Sequence, residues 1–473
     1  MPHEMSRRDL MVGPLTWMGA WGGAVALGLA LPRPAAASSA RFLRAAADGD
    51  RDAVRYLLES DPGLLYARDA RGRTAFALAL LGHHRAVGEL LRERGYPPDL
   101  HESALALDWE RFETLGGESP GKVNADHPVG GPAMVAAALG GAGVSIWRVY
   151  ALGGRPNEVG ASGRSAVLAA LRHPDLGTAE LTAASLLSNG AEAAATPVEG
   201  ETPLHIAARR GSADLVEMLV RKGARVEARD GEGLTALELA SRGGHATVAD
   251  LLARHATIPR DHSTSRRAYH ADGSRYRAPD LSYHSVLVTG GVVGAAHNDL
   301  EATRRSVERY PELTHSVATT TEGAVEGCAH LGRREIVDFL LEHGAPYSLP
   351  TAIMRGDVAW ARRLLAEDPL RIHERGPHDF ALLWYPAIGG GLLDLAELLL
   401  DAGCEVERQH VLGTTALHFA AMRGQAELAE LLLDRGADAH RVGRKFDPAG
   451  QTPIDLAVAR GHDAVAELLG SRG

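Results

Sequence analysis

The chain has 473 residues, 50 Lys and Arg against 60 Asp and Glu, and two Cys. A hydrophobic fraction of 45% is enough to build a core and excludes wholesale disorder, while two Cys exclude a disulfide framework and a Cys-rich zinc module. A net charge of −10 argues against non-specific nucleic-acid binding, which needs clustered positive charge, and 5% aromatics favour small-residue helix packing over sheets.

The first segment reads as an address. Ser6-Arg7-Arg8-Asp9-Leu10-Met11 precedes an uncharged, mostly apolar run, 12–31, followed by Pro32-Arg33-Pro34 and the small residues Ala35-Ala36-Ala37-Ser38. A charged start, an apolar middle and a small-residue exit are the three parts of an export signal. The paired arginines resemble a twin-arginine signal, with Leu10 where Phe is usual. The resemblance implies a signal over 1–37, cleavage after Ala37, and a periplasmic or secreted mature chain with no transmembrane span. Two alternatives stand beside it. About 20 apolar residues left uncleaved would anchor the chain in a bilayer, and translation from Met5 or Met11 would leave it cytoplasmic.

Beyond residue 38 the chain repeats. Phe42 to Leu58 has the look of an amino-terminal capping unit, and Asp69 to Tyr96 holds a first repeat. The stretch 100–195 is degenerate, although Met134 to Leu139 and Val167 to Leu171 would serve as first helices. Gly190, Gly223, and likewise Gly403 and Gly436, then recur at a step of 33. The clearest unit is Gly200-Glu201-Thr202-Pro203-Leu204-His205-Ile206-Ala207-Ala208, then Gly211, Leu215, Val216, Leu219 and Gly223-Ala224. Thr202 suits a helix N-cap, and Pro203 suits the first turn, where its missing N–H is not needed. Leu215, Val216 and Leu219 form the apolar stripe of a second helix, and Gly223 ends it. Residues 257–286 lack a helical apolar period and carry several Arg and Tyr, so they are expected to be an irregular linker or a partner contact. The rhythm resumes over 287–473, most clearly at Gly413 to Ala437 and Gly450 to Leu469.

Thr-Pro-Leu-His-x-Ala-Ala at a 33-residue step resembles the ankyrin repeat. That resemblance implies an all-α ankyrin-repeat solenoid, here in two stacks, 38–256 and 287–473, joined by the linker. It also implies structural roles in each repeat for Thr202, Pro203, His205, Thr415, His418, Thr452 and Pro453.

Chemistry is hard to find. The 22 His invite a metal reading, but the chain has no His-Glu-x-x-His and no Cys-x-x-Cys. It also lacks Gly-x-Ser-x-Gly and a phosphate loop, and Gly290 to Gly294 reads as the start of a repeat helix. Cys328 and Cys404 read as small buried residues more than two repeats apart, too distant for a disulfide. No catalytic, cofactor-binding or metal residue is therefore assigned, and no cofactor is expected.

What remains is surface. Arg209, Arg210, Arg242, Arg355, Arg423 and Arg460 sit at or near the turn after each first helix, where the resemblance places the edge of a concave face. A recurring positive position on an acidic chain would steer an acidic segment into a groove. The competing reading is that these arginines only solvate the helix ends. Glu199, Glu201 and Gln451, with Arg71, Arg73, Glu232 and Thr414, are expected at the turn tips. The resulting expectation is a non-enzymatic protein–protein interaction scaffold, a monomer, exported to the envelope and binding protein rather than nucleic acid. The alternatives are a periplasmic chaperone-like maturation or stress factor for a specific client, and a metal-binding or enzymatic protein.

Overall fold

A computed structural model describes residues 36–194, 200–258, 260–263, 269–281, 284–320, 322–410, 413–443 and 451–472. The paired arginines of the expected signal and Glu199 lie outside them. The first described helix, Ala36–Ala47, starts ahead of Ser38.

The repeat unit is built from local rules. Thr202 is extended, with φ −92° and ψ 163°, and its side chain accepts from the backbone of His205 at the head of the helix Pro203–Arg209. His205 returns the favour: its Nδ1 accepts the Thr202 N–H at 3.1 Å, and its Nε2 reaches Ala228 O in the next turn at 3.0 Å. One imidazole thus caps its own helix and ties down its neighbour. Gly211, at φ +75°, reverses the chain. The second helix, Ala213–Arg221, then buries Leu215, Val216, Leu219 and Val220. An extended turn, a finger, leads into the next unit.

Among the described residues, 26 α-helices pair into such units, seven pairs between Ala36 and Ala253 and six between Val286 and Arg472. The inner helices touch in chain order and the outer helices stack behind them, as a solenoid requires. The inner helices are spelt with small residues, and Ala133, Ala136, Ala137 and Ala138 are fully buried. The stretch 100–195 folds as three ordinary pairs despite its irregular spelling: Leu100–Ala106 with Trp109–Glu118, Ala133–Leu139 with Trp147–Ala151, and Ala166–Leu171 with Leu176–Ser188. Four outer helices end in a proline-led 3-10 turn, at Pro62–Tyr66, Pro120–Lys122, Pro311–His315 and Pro369–His373. There Pro fixes φ and needs no donor, and Leu64, Leu313 and Ile372 turn inward.

The apolar core falls into three clusters, Phe42 to Tyr96 and Ala77 to Leu252 in the first stack and Val288 to Leu469 in the second, so the two stacks have separate cores. The segment between them is not a free tether. His262–Ser263 pairs in parallel with Glu374–Arg375, and Tyr269 bridges Tyr347. The Tyr269 hydroxyl donates to Glu367 at 3.0 Å, and the Tyr276 hydroxyl lies 3.1 Å from His315 Nδ1. The described part of the segment is therefore laid along the second stack.

The two stacks also meet directly. Fingers of the second stack lie against outer helices of the first, so Arg221 reaches Glu405, Lys222 reaches Asp379, and Asn189 reaches His378. Beside this seam is a cavity of about 500 Å³ lined from both stacks, among others by Leu181, Met218, Glu407 and Gln409. No described helix is long and apolar enough to cross a membrane.

Candidate functional site

The arginines at the inner-helix ends do different things. Arg210 donates to Leu171 O and His173 O at 2.7 Å and to Pro174 O at 3.0 Å, so it closes the carbonyl end of the preceding repeat's inner helix. Arg355 lies 2.9 Å from Asp338 and 5.6 Å above the Tyr347 ring. Arg209 pairs with Glu201 of its own repeat and approaches Asp230 at 3.8 Å. Arg242 faces the same shallow groove of about 480 Å³, together with Glu232, Leu234 and Leu239. Arg242, Arg423 and Arg460 are exposed at the ends of their helices. Gln451 carries a finger's backbone bridge to Gly443. Thr414, expected at a tip, is buried.

The repeat-holding residues act as caps. Thr415 donates its N–H to His418 Nδ1 at 3.1 Å, and Thr452 caps the helix Pro453–Ala459 in a reciprocal pair with Asp455. Pro203 and Pro453 occupy the first turns of their helices.

Two side-chain clusters at or beside the seam carry the electrostatics. In the first, Arg221 holds Glu405 through two bonds, 2.9 and 2.7 Å, and bonds Glu217 at 2.8 Å. Lys222 donates to Asp379 at 2.9 Å, and Arg408 and Arg375 close on Asp261 at 3.0 and 3.4 Å. Four cations thus interleave with four anions. Burial opposes ionisation of Asp379, but Lys222, Arg375 and Arg408 outweigh it and hold its carboxyl well below the usual range.

In the second cluster, three imidazoles surround one carboxylate. Glu322 Oε1 lies 3.3 Å from His297 Nε2 and 3.2 Å from His330 Nδ1, and its Oε2 lies 3.3 Å from His378 Nε2. Glu322 is only 4% exposed. Burial opposes its ionisation, yet the three histidines beside it hold its carboxyl well below the usual range. The His330 ring sits 5.1 Å from both the His297 and the His378 rings. His378 and Asp379 are neighbours in one finger and both have positive φ, +54° and +66°. The finger 68–74 uses a glycine, Gly72 at φ +80°, where Asp379 stands. Two non-glycine residues with left-handed backbone thus stand at one tip, and each reaches a different cluster.

A third group, Asp99, His101 and His127, is differently arranged. His127 Nε2 lies 3.0 Å from Asp99, and the His101 and His127 rings stack at 4.5 Å, nearly parallel. His101 Nε2 is bonded to Ala125 O.

Sequence motifs do not reveal the His297, Glu322, His330 and His378 set, because it comes from separate repeats at no standard spacing. A signal exists in the repeat columns. With Gly332 placed on Gly211, Glu322 falls on Glu201 and His330 on Arg209. The acid–base pair Glu201 and Arg209 of a first-stack repeat thus has a histidine as its base in this second-stack repeat.

The family model for ankyrin repeats matches residues 150–261 and 383–473, with three copies. No curated protein matches the chain.

Proposed function

We propose that this all-α solenoid, whose ankyrin repeats make it a protein–protein interaction module, is a non-enzymatic scaffold exported to the cell envelope, where it receives an acidic segment of a protein partner. The observation that carries this reading is the division of surfaces. Second-stack fingers are engaged in the seam, whereas Arg242, Arg423 and Arg460 remain exposed at the inner-helix ends. A rigid face formed before the partner arrives loses little ordering entropy on association. Exposed cations speed and select acidic partners, and their pull weakens with salt. Export rests on Ser6-Arg7-Arg8 and the apolar run behind it.

The test has two arms. Partners captured from the envelope fraction by the purified protein are identified, and the affinity of the dominant one is measured at low and high salt. Replacing Arg242, Arg423 and Arg460 together by Glu is expected to abolish low-salt binding, and unchanged affinity overturns the groove. Replacing Arg7 and Arg8 by Lys is expected to leave the chain in the cytoplasm, and normal export of that variant overturns the address.

A further inference from the structure

We propose that His297, Glu322, His330 and His378 bind one divalent first-row transition-metal ion, with zinc the best match, and that the ion pins the finger 375–381 where it meets the first stack. Three imidazoles and a carboxylate form a donor set suited to such ions. The size fits as well. Bonds of about 2.0–2.1 Å in a tetrahedron place neighbouring donor atoms about 3.3 Å apart. His297 Nε2 lies 3.3 Å from Glu322 Oε1 and His378 Nε2 3.3 Å from Glu322 Oε2, and one ligand atom from each of the four residues lies within 4.8 Å of the others.

Hydrogen bonding outside the cluster fixes which nitrogens face inward. His297 Nδ1 donates to Val293 O at 2.8 Å. His378 Nδ1 lies 2.6 Å from Asn189 Oδ1. Asn189 itself is oriented, because its Nδ2 donates to Ser185 O at 2.6 Å. Its Oδ1 therefore accepts, and His378 Nδ1 carries the proton. In the neutral ring the Nε2 atoms of His297 and His378 then present lone pairs toward Glu322. Lone pairs facing a carboxylate at 3.3 Å repel, so the site calls for positive charge, supplied either by ring protons or by a metal cation that the same atoms would coordinate. Glu322 Oε1 is consistent with this. It is buried, and no neighbour among the described residues meets it in hydrogen-bond geometry. His297 and His378 thus each have an outer acceptor on the far nitrogen, the usual support of a metal-binding histidine, whereas His330 Nδ1 donates to Glu326 O at 3.1 Å, so its lone pair is at Nε2.

The linkage to the seam is direct. His378 carries the strained finger, and its outer partner Asn189 belongs to the first stack. The ion would thus join a second-stack tip to second-stack inner helices while the first stack holds that tip in place. The group Asp99, His101 and His127 lacks this convergence, since two of its rings lie face to face.

The experiment uses the full chain without tag histidines, stripped with a chelator and titrated with Co²⁺ alone. Visible absorption reports geometry and elemental analysis reports stoichiometry. One Co²⁺ per chain with an intense four-coordinate band, displaced by Zn²⁺, is expected. Zn²⁺ should also raise the thermal midpoint. His378→Ala and Glu322→Gln are expected to weaken binding at least ~100-fold, and Asn189→Ala by ~10–100-fold, the usual range for an outer partner. His127→Ala should change nothing. Should Glu322→Gln fail to fold, His378→Ala, on a part-exposed finger, decides alone. No stoichiometric binding by the parent chain overturns the proposal, as does equal binding by His378→Ala or dependence on His127.

Discussion

His418 shows what one atom's protonation does in this fold. Its Nδ1 accepts the Thr415 N–H, so the cap exists only while that nitrogen keeps its lone pair. Burial pushes its pKa down to about 4, and His101 is likewise pushed down to about 4 by burial and by His127. Both groups are depressed relative to the unfolded chain, so their contribution is complete above about pH 6.5 and is lost as pH falls toward 4. The full loss is about 3 kcal/mol for His418. Gln at the same position preserves the capping pattern without a titrating ring. His418→Gln should therefore lose less thermal stability than the parent between pH 7 and pH 4.5, and an identical loss would count against this role.

At the scale of the helix, two glycines should respond oppositely to the same substitution. A Cβ on Gly140, at the end of Ala133–Leu139, would lie 2.2 Å from the backbone oxygen of Leu105 in the previous repeat. Gly290 lies inside Val286–Ala296 with nothing within 4 Å of its Cβ position. Gly140→Ala should destabilise by ~1–3 kcal/mol through forced separation of repeats, whereas Gly290→Ala should stabilise by ~0.5–1 kcal/mol. Chemical denaturation of both variants checks the contrast.

The same scale explains what can be read in advance. The pair at Gly200 to Ala224 is legible because Thr202, Pro203, Gly211 and Gly223 are local punctuation. The pairs within 100–195 are obscure because Pro132 and Ser165 begin their inner helices in place of Thr-Pro. Their Ala-rich helices bury every side without an amphipathic stripe, and the helix Trp147–Ala151 is only five residues long. The candidate centre at Glu322 escapes for a related reason. Its four members are set by how repeats stack and by where one finger lands, and neither is written in local spacing.

For the molecule as a whole, the seam decides whether the stacks behave as one body. The Asp379 side chain is completely buried among Lys222, Arg375 and Arg408. Removing one partner of such a buried set costs about 3–5 kcal/mol, because the remaining charges stay buried. Asp379→Asn keeps the shape and removes the charge. It should lower stability by that amount and split a single calorimetric transition into two, one per stack. A single transition at an unchanged midpoint would show that the stacks cohere without this ionic set.

The pairing of Arg221 with Glu405 also sets a clock. The two residues are 184 positions apart in the chain. At ~5–20 residues per second, a ribosome delivers the second ~10–40 s after the first. Throughout that interval the first stack has its helices but not its cover. Arg221 and Lys222 stand in water, and His262–Ser263 has no strand beside it. A nascent chain stalled before residue 374 would present that open flank to anything nearby. The last step of maturation therefore waits on the carboxy-terminal repeats, however early the amino-terminal ones have folded.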